Sequence, residues 1–228
     1  MPADRILHHF PLDPFSRQVR LALTEKKLGF DEQVERYWER PEGLAELNPS
    51  GLPPVLIEGQ GPHRVMACEA RAILEYLEEA HTGFPLMSRD LGERAEARRL
   101  QDWFDRKFHN EVNAYLLYEK MERRLLGLGA PDLAGIRRGR EALRGHLAYL
   151  DGLLDAREWL AGRRMSLGDI AAAGHLSVID YIGEAPWDQF KHVRTWYMKI
   201  KSRPCFRPLL ADRMPGLPPS AHYHDLDF

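Results

Sequence analysis

Asn48-Pro49-Ser50-Gly51-Leu52-Pro53-Pro54-Val55-Leu56, followed by Glu69-Ala70-Arg71-Ala72-Ile73-Leu74-Glu75-Tyr76-Leu77, is the stretch on which the reading of the fold turns. The first segment reads as a strand bounded by prolines, residues that have no N–H to give to a ladder and so collect at strand ends. Val55-Leu56-Ile57 and Arg64-Val65-Met66 then form a hairpin around the Gly-rich Gly59-Gln60-Gly61-Pro62. The second segment opens a helix running from about Glu69 to His81, with Ile73, Leu74 and Leu77 spaced to share a face.

Upstream, Ile6-Leu7-His8-His9-Phe10 reads as a first strand. Asp13 is a natural N-cap with Pro14 at the first helical position, starting a helix that carries Val19, Leu21, Ala22 and Leu23 and ends near Gly29. Phe30 to Tyr37 can form a second strand, and Pro41 to Leu47 a short helix. Downstream, Thr82-Gly83-Phe84-Pro85 reads as a linker, after which strand signals almost vanish. Leu91 to Leu126 is one long helical pattern with Leu100, Trp103, Phe104, Phe108, Val112 and Leu116 on one side. Gly127-Leu128-Gly129-Ala130-Pro131 breaks it, and a second long helix runs from Asp132 to about Ala156. Ser166-Leu167-Gly168-Asp169 opens a further helix as a capping box with Asp in place of Glu or Gln.

The 228 residues carry 44% hydrophobic and 29% charged side chains, the balance of an ordinary globular protein. With a net charge of −2, nothing electrostatic calls for nucleic acid or anionic lipid. Arg137, Arg138, Arg140 and Arg144 are diluted by Glu141 and read as a solvated helix face. The two cysteines, Cys68 and Cys205, stand in no metal or redox spacing, and the histidines show no paired ligand pattern. No metal or cofactor is expected. Met1-Pro2-Ala3-Asp4 lacks a basic-then-apolar signal and no apolar run reaches membrane-spanning length, so a cytoplasmic protein with no membrane association is expected.

The Pro53-Pro54 strand, the helix after it, Ser166-Leu167-Gly168-Asp169 and Arg203-Pro204-Cys205-Phe206 together resemble the glutathione S-transferase family over residues 5 to 210. The resemblance implies an α/β plus all-α architecture: a thioredoxin-like domain (1–81) of order β-α-β-α-β-β-α, a linker (82–88) and a C-terminal helical bundle (89–210). A Pro-rich tail (211–228) follows. In such transferases a Ser, Tyr or Cys after the first strand serves the glutathione thiol. Here the frame reads Asp13-Pro14-Phe15-Ser16-Arg17-Gln18-Val19-Arg20, so the slot falls on Asp13, whose carboxylate repels a thiolate. Ser16 is the hydroxyl within reach of replacing it. Pro54 matches the family's cis proline, which leaves Pro53 in the pairing slot with no N–H to donate. The Ser that holds the γ-glutamyl carboxylate is replaced by Ala70, leaving Glu69 and the helix N-terminus. Each hydrogen bond lost to a charged group removes about 1.5–3 kcal/mol, so the losses weaken glutathione on the order of a hundredfold or more. Cys68 reads as a buried thiol or as a low-pKa nucleophile.

Two features fall outside the transferase plan. Trp38, within Arg36-Tyr37-Trp38-Glu39-Arg40, is either an exposed interface anchor or a ring packed under the linker, and Trp187 is a weaker case. The tail ends on Tyr223-His224-Asp225-Leu226-Asp227-Phe228, the composition of a linear binding motif or of a strap over its own domain. Glu119 offers a charged rim. Leu7-His8-His9-Phe10-Pro11-Leu12-Asp13-Pro14, Phe104-Asp105-Arg106-Lys107-Phe108, Ser202-Arg203-Pro204-Cys205-Phe206-Arg207-Pro208 and the ending Asp225-Leu226-Asp227-Phe228 closely resemble the FtsZ-localised, transferase-like division proteins of alphaproteobacteria. That resemblance implies a non-enzymatic homodimer at the division site. It binds FtsZ filaments, changes their curvature and bundling, supports constriction, and suits recruitment of a further division factor through the tail. Binding is expected at Trp38, Glu119, Asp227 and Phe228. Two alternatives stand beside it: a glutathione-dependent transferase or lyase using Ser16 or Cys68, and a module for another small ligand beside Pro53.

Overall fold

The computed structural model describes residues 4–228, so the expectations for Met1-Pro2-Ala3, the leader and the start of the first domain, lie outside the described residues. β1 (Arg5–His9), α1 (Pro14–Glu25), β2 (Asp31–Val34), α2 (Glu42–Leu47), β3 (Val55–Glu58), β4 (Val65–Cys68) and α3 (Ala70–Ala80) follow in the expected order. The four strands make one sheet of order β2-β1-β3-β4, with β1–β2 parallel and the other pairs antiparallel. The bond between Pro53 and Pro54 is cis. α1 stops at Glu25, short of Gly29, because Lys27 takes a left-handed backbone that no helix continues.

β2 is shorter than the expected strand from Phe30 to Tyr37. After Glu35, whose N–H still reaches His9 O, the chain leaves the sheet and makes a tight turn over Tyr37–Glu39. Its cause is aromatic packing. Tyr37 and Trp38 stand edge-on to Phe10 at 5.6 and 5.0 Å between ring centroids, which draws the backbone over the end of β1.

The second half is helical. α4 (91–125) is the long helix expected, with wider π-type turns over Trp103–Asn113 and Tyr118–Glu122. Its buried residues Leu100, Phe104, Phe108, Val112 and Leu116 recur every fourth position. On an ordinary α-helix that spacing drifts by roughly 40° per repeat; widened turns keep the row facing the core. α5 (Leu133–Asp155) is capped by Asp132, which accepts from Ala134 N at 2.9 Å and Gly135 N at 3.1 Å. α6 (Leu167–Tyr181) is buried along its whole length, and α7 (Lys191–Lys201) and α8 (Arg207–Ala211) close the bundle. The capping box forms as expected. Asp169 also takes Leu160 N and Trp196 Nε1, both at 2.9 Å, so this fully buried carboxylate has four donors around it.

The two halves meet where α1 crosses α6. A Cβ at Gly174 would stand 2.8 Å from Pro14 O and 2.6 Å from the Gln18 side chain, so only glycine permits this approach. Beside it, Arg17 donates to Ser177 Oγ, Tyr223 Oη and Asp212 Oδ2 at 2.9, 3.1 and 2.9 Å, and Arg20 grips both oxygens of Asp212. These are buried charges with matched partners. Gly174→Ala, which forces backbone apart at this crossing, is expected to lower stability by about 1–3 kcal/mol in urea denaturation, whereas Gly145→Ala, with open space around it, is expected to be neutral or stabilising.

Candidate functional site

In the slot where the resemblance expects a thiol-activating group, Asp13 is a helix cap and nothing else is free there. Asp13 Oδ2 accepts from Ser16 N at 2.7 Å and Ser16 Oγ at 2.6 Å. Ser16 Oγ in turn accepts from Phe10 N at 3.2 Å, and the side chain is fully buried. The hydroxyl proton and its lone pair are therefore both engaged, and Ser16 has nothing to offer a thiol. Burial pushes the Asp13 carboxyl up to about 7, and the nearby Glu122 carboxylate adds to the rise against hydrogen bonds from Ser16 and Phe15. Glu122 is raised as well, by its own burial, and accepts from Tyr37 Oη at 3.1 Å across the cleft. Sequence reading missed Glu122 and Tyr37 at this site: their meeting spans 85 positions, and no local pattern signals it.

At the base of the cleft, Pro53 and Pro54 are buried and Pro54 O accepts from Glu69 N at 3.2 Å. Glu69 Oε1 is held by Asn48 Nδ2 at 3.1 Å and Ser50 Oγ at 3.2 Å. Glu69 itself has a left-handed φ of 69° and makes no side-chain cap at the start of α3. Ala70 is buried and presents only its methyl. A groove of about 440 Å³ lies beside this point, between Tyr37 and Leu52.

The expected nucleophile and interface residues are redistributed. Cys68 Sγ lies 3.3 Å from Leu47 O, and burial with Glu69 nearby raises its thiol, so it is not activated. Burial pushes the Cys205 thiol up to about 12. Trp38 is half-buried on Phe10 and Tyr37 rather than under the linker, which leaves part of its ring at the surface. Glu119 is not a charged rim: it is 8% exposed and accepts from Asp132 N at 2.7 Å, holding the start of α5. Trp187 is buried, stacked on Tyr197 at 4.5 Å with its Nε1 on Asp180. The tail is a strap, not a free motif, because buried polar groups wait for it: Tyr223 is fully buried, Ser220 N donates to Tyr181 O, and His222 meets Asp180 at 3.0 Å. Phe228 folds back against Trp187 and Tyr197 with Lys201 Nζ 4.2 Å from its ring, whereas Asp225, Leu226 and Asp227 face outward. Among the described residues, no group of three His, Cys, Asp or Glu side chains is placed to hold a metal, and no helix is long and apolar enough to cross a membrane.

Two family models match the chain: the glutathione S-transferase N-terminal domain over residues 14–80 and the C-terminal domain over 134–204. FtsZ-localized protein A of Caulobacter vibrioides is 66% identical over the full length of both chains. The chain belongs to the glutathione S-transferase family. The structure of FzlA from C. crescentus superposes with a TM-score of 0.97 at 66% identity, covering 99% of this chain and 100% of that one. A glutathione S-transferase from Rhodospirillum rubrum superposes at 0.94 with 45% identity, covering 98% and 100%. Fold class and resemblance are as the sequence indicated.

Asp13 sets a pH dependence. Its folded pKa lies above its unfolded value, so its stabilising share is complete below about 4, falls as pH rises through about 7, and is absent above. Asp13→Asn keeps a capping oxygen without the charge. In thermal melts it is expected to match the parent near pH 4 and to exceed it at pH 8 by about 2–4 kcal/mol, flattening the profile.

Proposed function

We infer that this family member is a non-enzymatic, filament-binding division protein whose partner is FtsZ, on a scaffold that no longer handles glutathione. The observation that carries this reading is the closed pair of Asp13 and Ser16, which leaves the thiol slot acidic and without a free donor. The 66% identity over full length with FtsZ-localized protein A supports FtsZ as the partner. Filament contact falls on the half-exposed edge of Trp38, with Glu119 acting through the loop it anchors at Asp132 rather than by direct touch. The chain works in the cytoplasm at the division site as a homodimer, presenting two equal surfaces that bridge filaments and change their curvature and bundling in support of constriction. The outward Asp225 and Asp227 beside the anchored Phe228 suit a further division factor.

A second reading has one observation in its favour. The N-terminus of α3 carries no side-chain cap, so an anionic group retains a seat there. On that reading the chain is a glutathione-dependent transferase or lyase, but its candidate groups, Ser16 and Cys68, are respectively engaged and raised.

The deciding assay is co-sedimentation with GTP-assembled FtsZ. The parent protein is expected to pellet with filaments, Trp38→Ala to bind about tenfold more weakly, and Ser16→Ala to bind as the parent does. Absence of the parent from the pellet, or binding by Trp38→Ala equal to that of the parent, would contradict the assignment.

A further inference from the structure

On a face that shares no residue with the cleft, the linker and the loop before α6 flank an open groove rich in unpaired arginine. It consists of two adjoining basins of about 280 and 510 Å³, and Pro85, Arg163, Arg164 and Met165 line both. Arg163 and Arg164 are exposed and follow a tight turn in which Trp159 and Gly162 exchange backbone hydrogen bonds at 3.2 and 3.3 Å. Arg89, also exposed, stands at the far end of the larger basin. Among the described residues, none of these guanidinium groups has a carboxylate within ion-pair distance, in a chain where most other arginines do. The carboxylates at the groove are Glu25, which is paired with Arg203, and Glu93. The balance is positive in a protein whose net charge is −2.

An aromatic is held ready at the same place. Phe84 is 53% exposed and takes a left-handed φ of 51°, a conformation that costs a non-glycine residue about 1 kcal/mol or more. The linker around it is fixed from below. Buried Lys26 donates to His81 O at 2.8 Å, and Glu78 accepts from Leu86 N and Met87 N at 3.1 and 3.0 Å. Lys27 Nζ sits 4.4 Å from the Phe84 ring centroid and adds a further cation. The left-handed backbone thus holds the Phe84 ring at the surface, against Lys27 and at the wall of the smaller basin.

We propose that this groove is a docking site for an extended acidic peptide segment of a partner protein, carrying one aromatic or large apolar side chain between carboxylates. Guanidinium forks match carboxylates bidentately, and Phe84 with Met165 supplies the apolar seat. An open groove lined by exposed guanidinium groups suits a strand-like acidic segment, and a nucleic acid needs a longer basic track than these side chains provide.

The test is an array of short peptides with Asp and Glu flanking Phe, Trp or Leu, probed with the full chain, followed by fluorescence anisotropy on the retained sequences. Binding is expected to weaken about tenfold in Arg163→Glu and again in Arg89→Glu, to fall with rising salt, and to be unchanged in Trp38→Ala. All of these residues are exposed or half-exposed, and circular dichroism verifies that each variant is folded. Failure to retain any acidic peptide overturns the proposal, as does retention indifferent to the arginine reversals. So does arginine-dependent binding confined to phosphatidylglycerol vesicles, which would assign the groove to a membrane.

Discussion

The backbone-to-backbone approach of α1 and α6 at Pro14 and Gly174 is the constraint from which the rest of the molecule follows. α1 begins at the cleft, with Asp13 as its cap, and its buried face carries Arg17 and Arg20. Because α1 lies hard against α6, these arginines reach Ser177, Asp212 and Tyr223 instead of solvent. The same helix therefore sets the wall of the cleft, the join between the halves and the seat of the strap. Had a methyl stood at Gly174, α1 would tilt and all of these would loosen together.

Within that frame the cleft presents acids where the family resemblance expects a thiol-activating group. A thiolate is served by donors and positive potential, and this cleft offers Asp13 and Glu122 with their carboxyls raised by burial, that of Asp13 also by the nearby Glu122. Tyr37 Oη donates a hydrogen bond to Glu122, and Ser16 Oγ donates one to Asp13. The donors present are turned on the protein's own acids. What remains useful is surface: the Trp38 edge above Phe10, the outward acids of the strap, and the arginine groove on a separate face. On the proposed reading, partners are met by these parts of the exterior, while Asp13 and Ser16 in the cleft engage each other.

Much of the fold was legible because its signals are local. Asp13-Pro14 names a cap, Ser166 to Asp169 names another, and the strand around Pro53-Pro54 followed by Glu69 to Leu77 carries the family. The positions of Asp13, Pro53, Pro54 and Ala70 were legible for the same reason, as each sits at a fixed place in a motif. The misplaced features depend on contacts between distant segments. Glu119 looks like a surface acid until Asp132, after the loop, brings its N–H to it. Trp187 looks like a rim residue until Asp180 and Tyr197 cover it. The tail has the composition of a free motif, and only the buried partners of Tyr223 and His222 make it a strap. The widened turns of α4 were visible in principle, since its apolar residues repeat every fourth position rather than alternating three and four.

The most direct test of the lost chemistry is calorimetric titration of reduced glutathione into the intact protein, with aryl-halide conjugation followed on the same sample. An acidic slot with no free donor predicts no saturable binding below millimolar glutathione and no turnover above the uncatalysed rate. Micromolar binding accompanied by conjugation would contradict it.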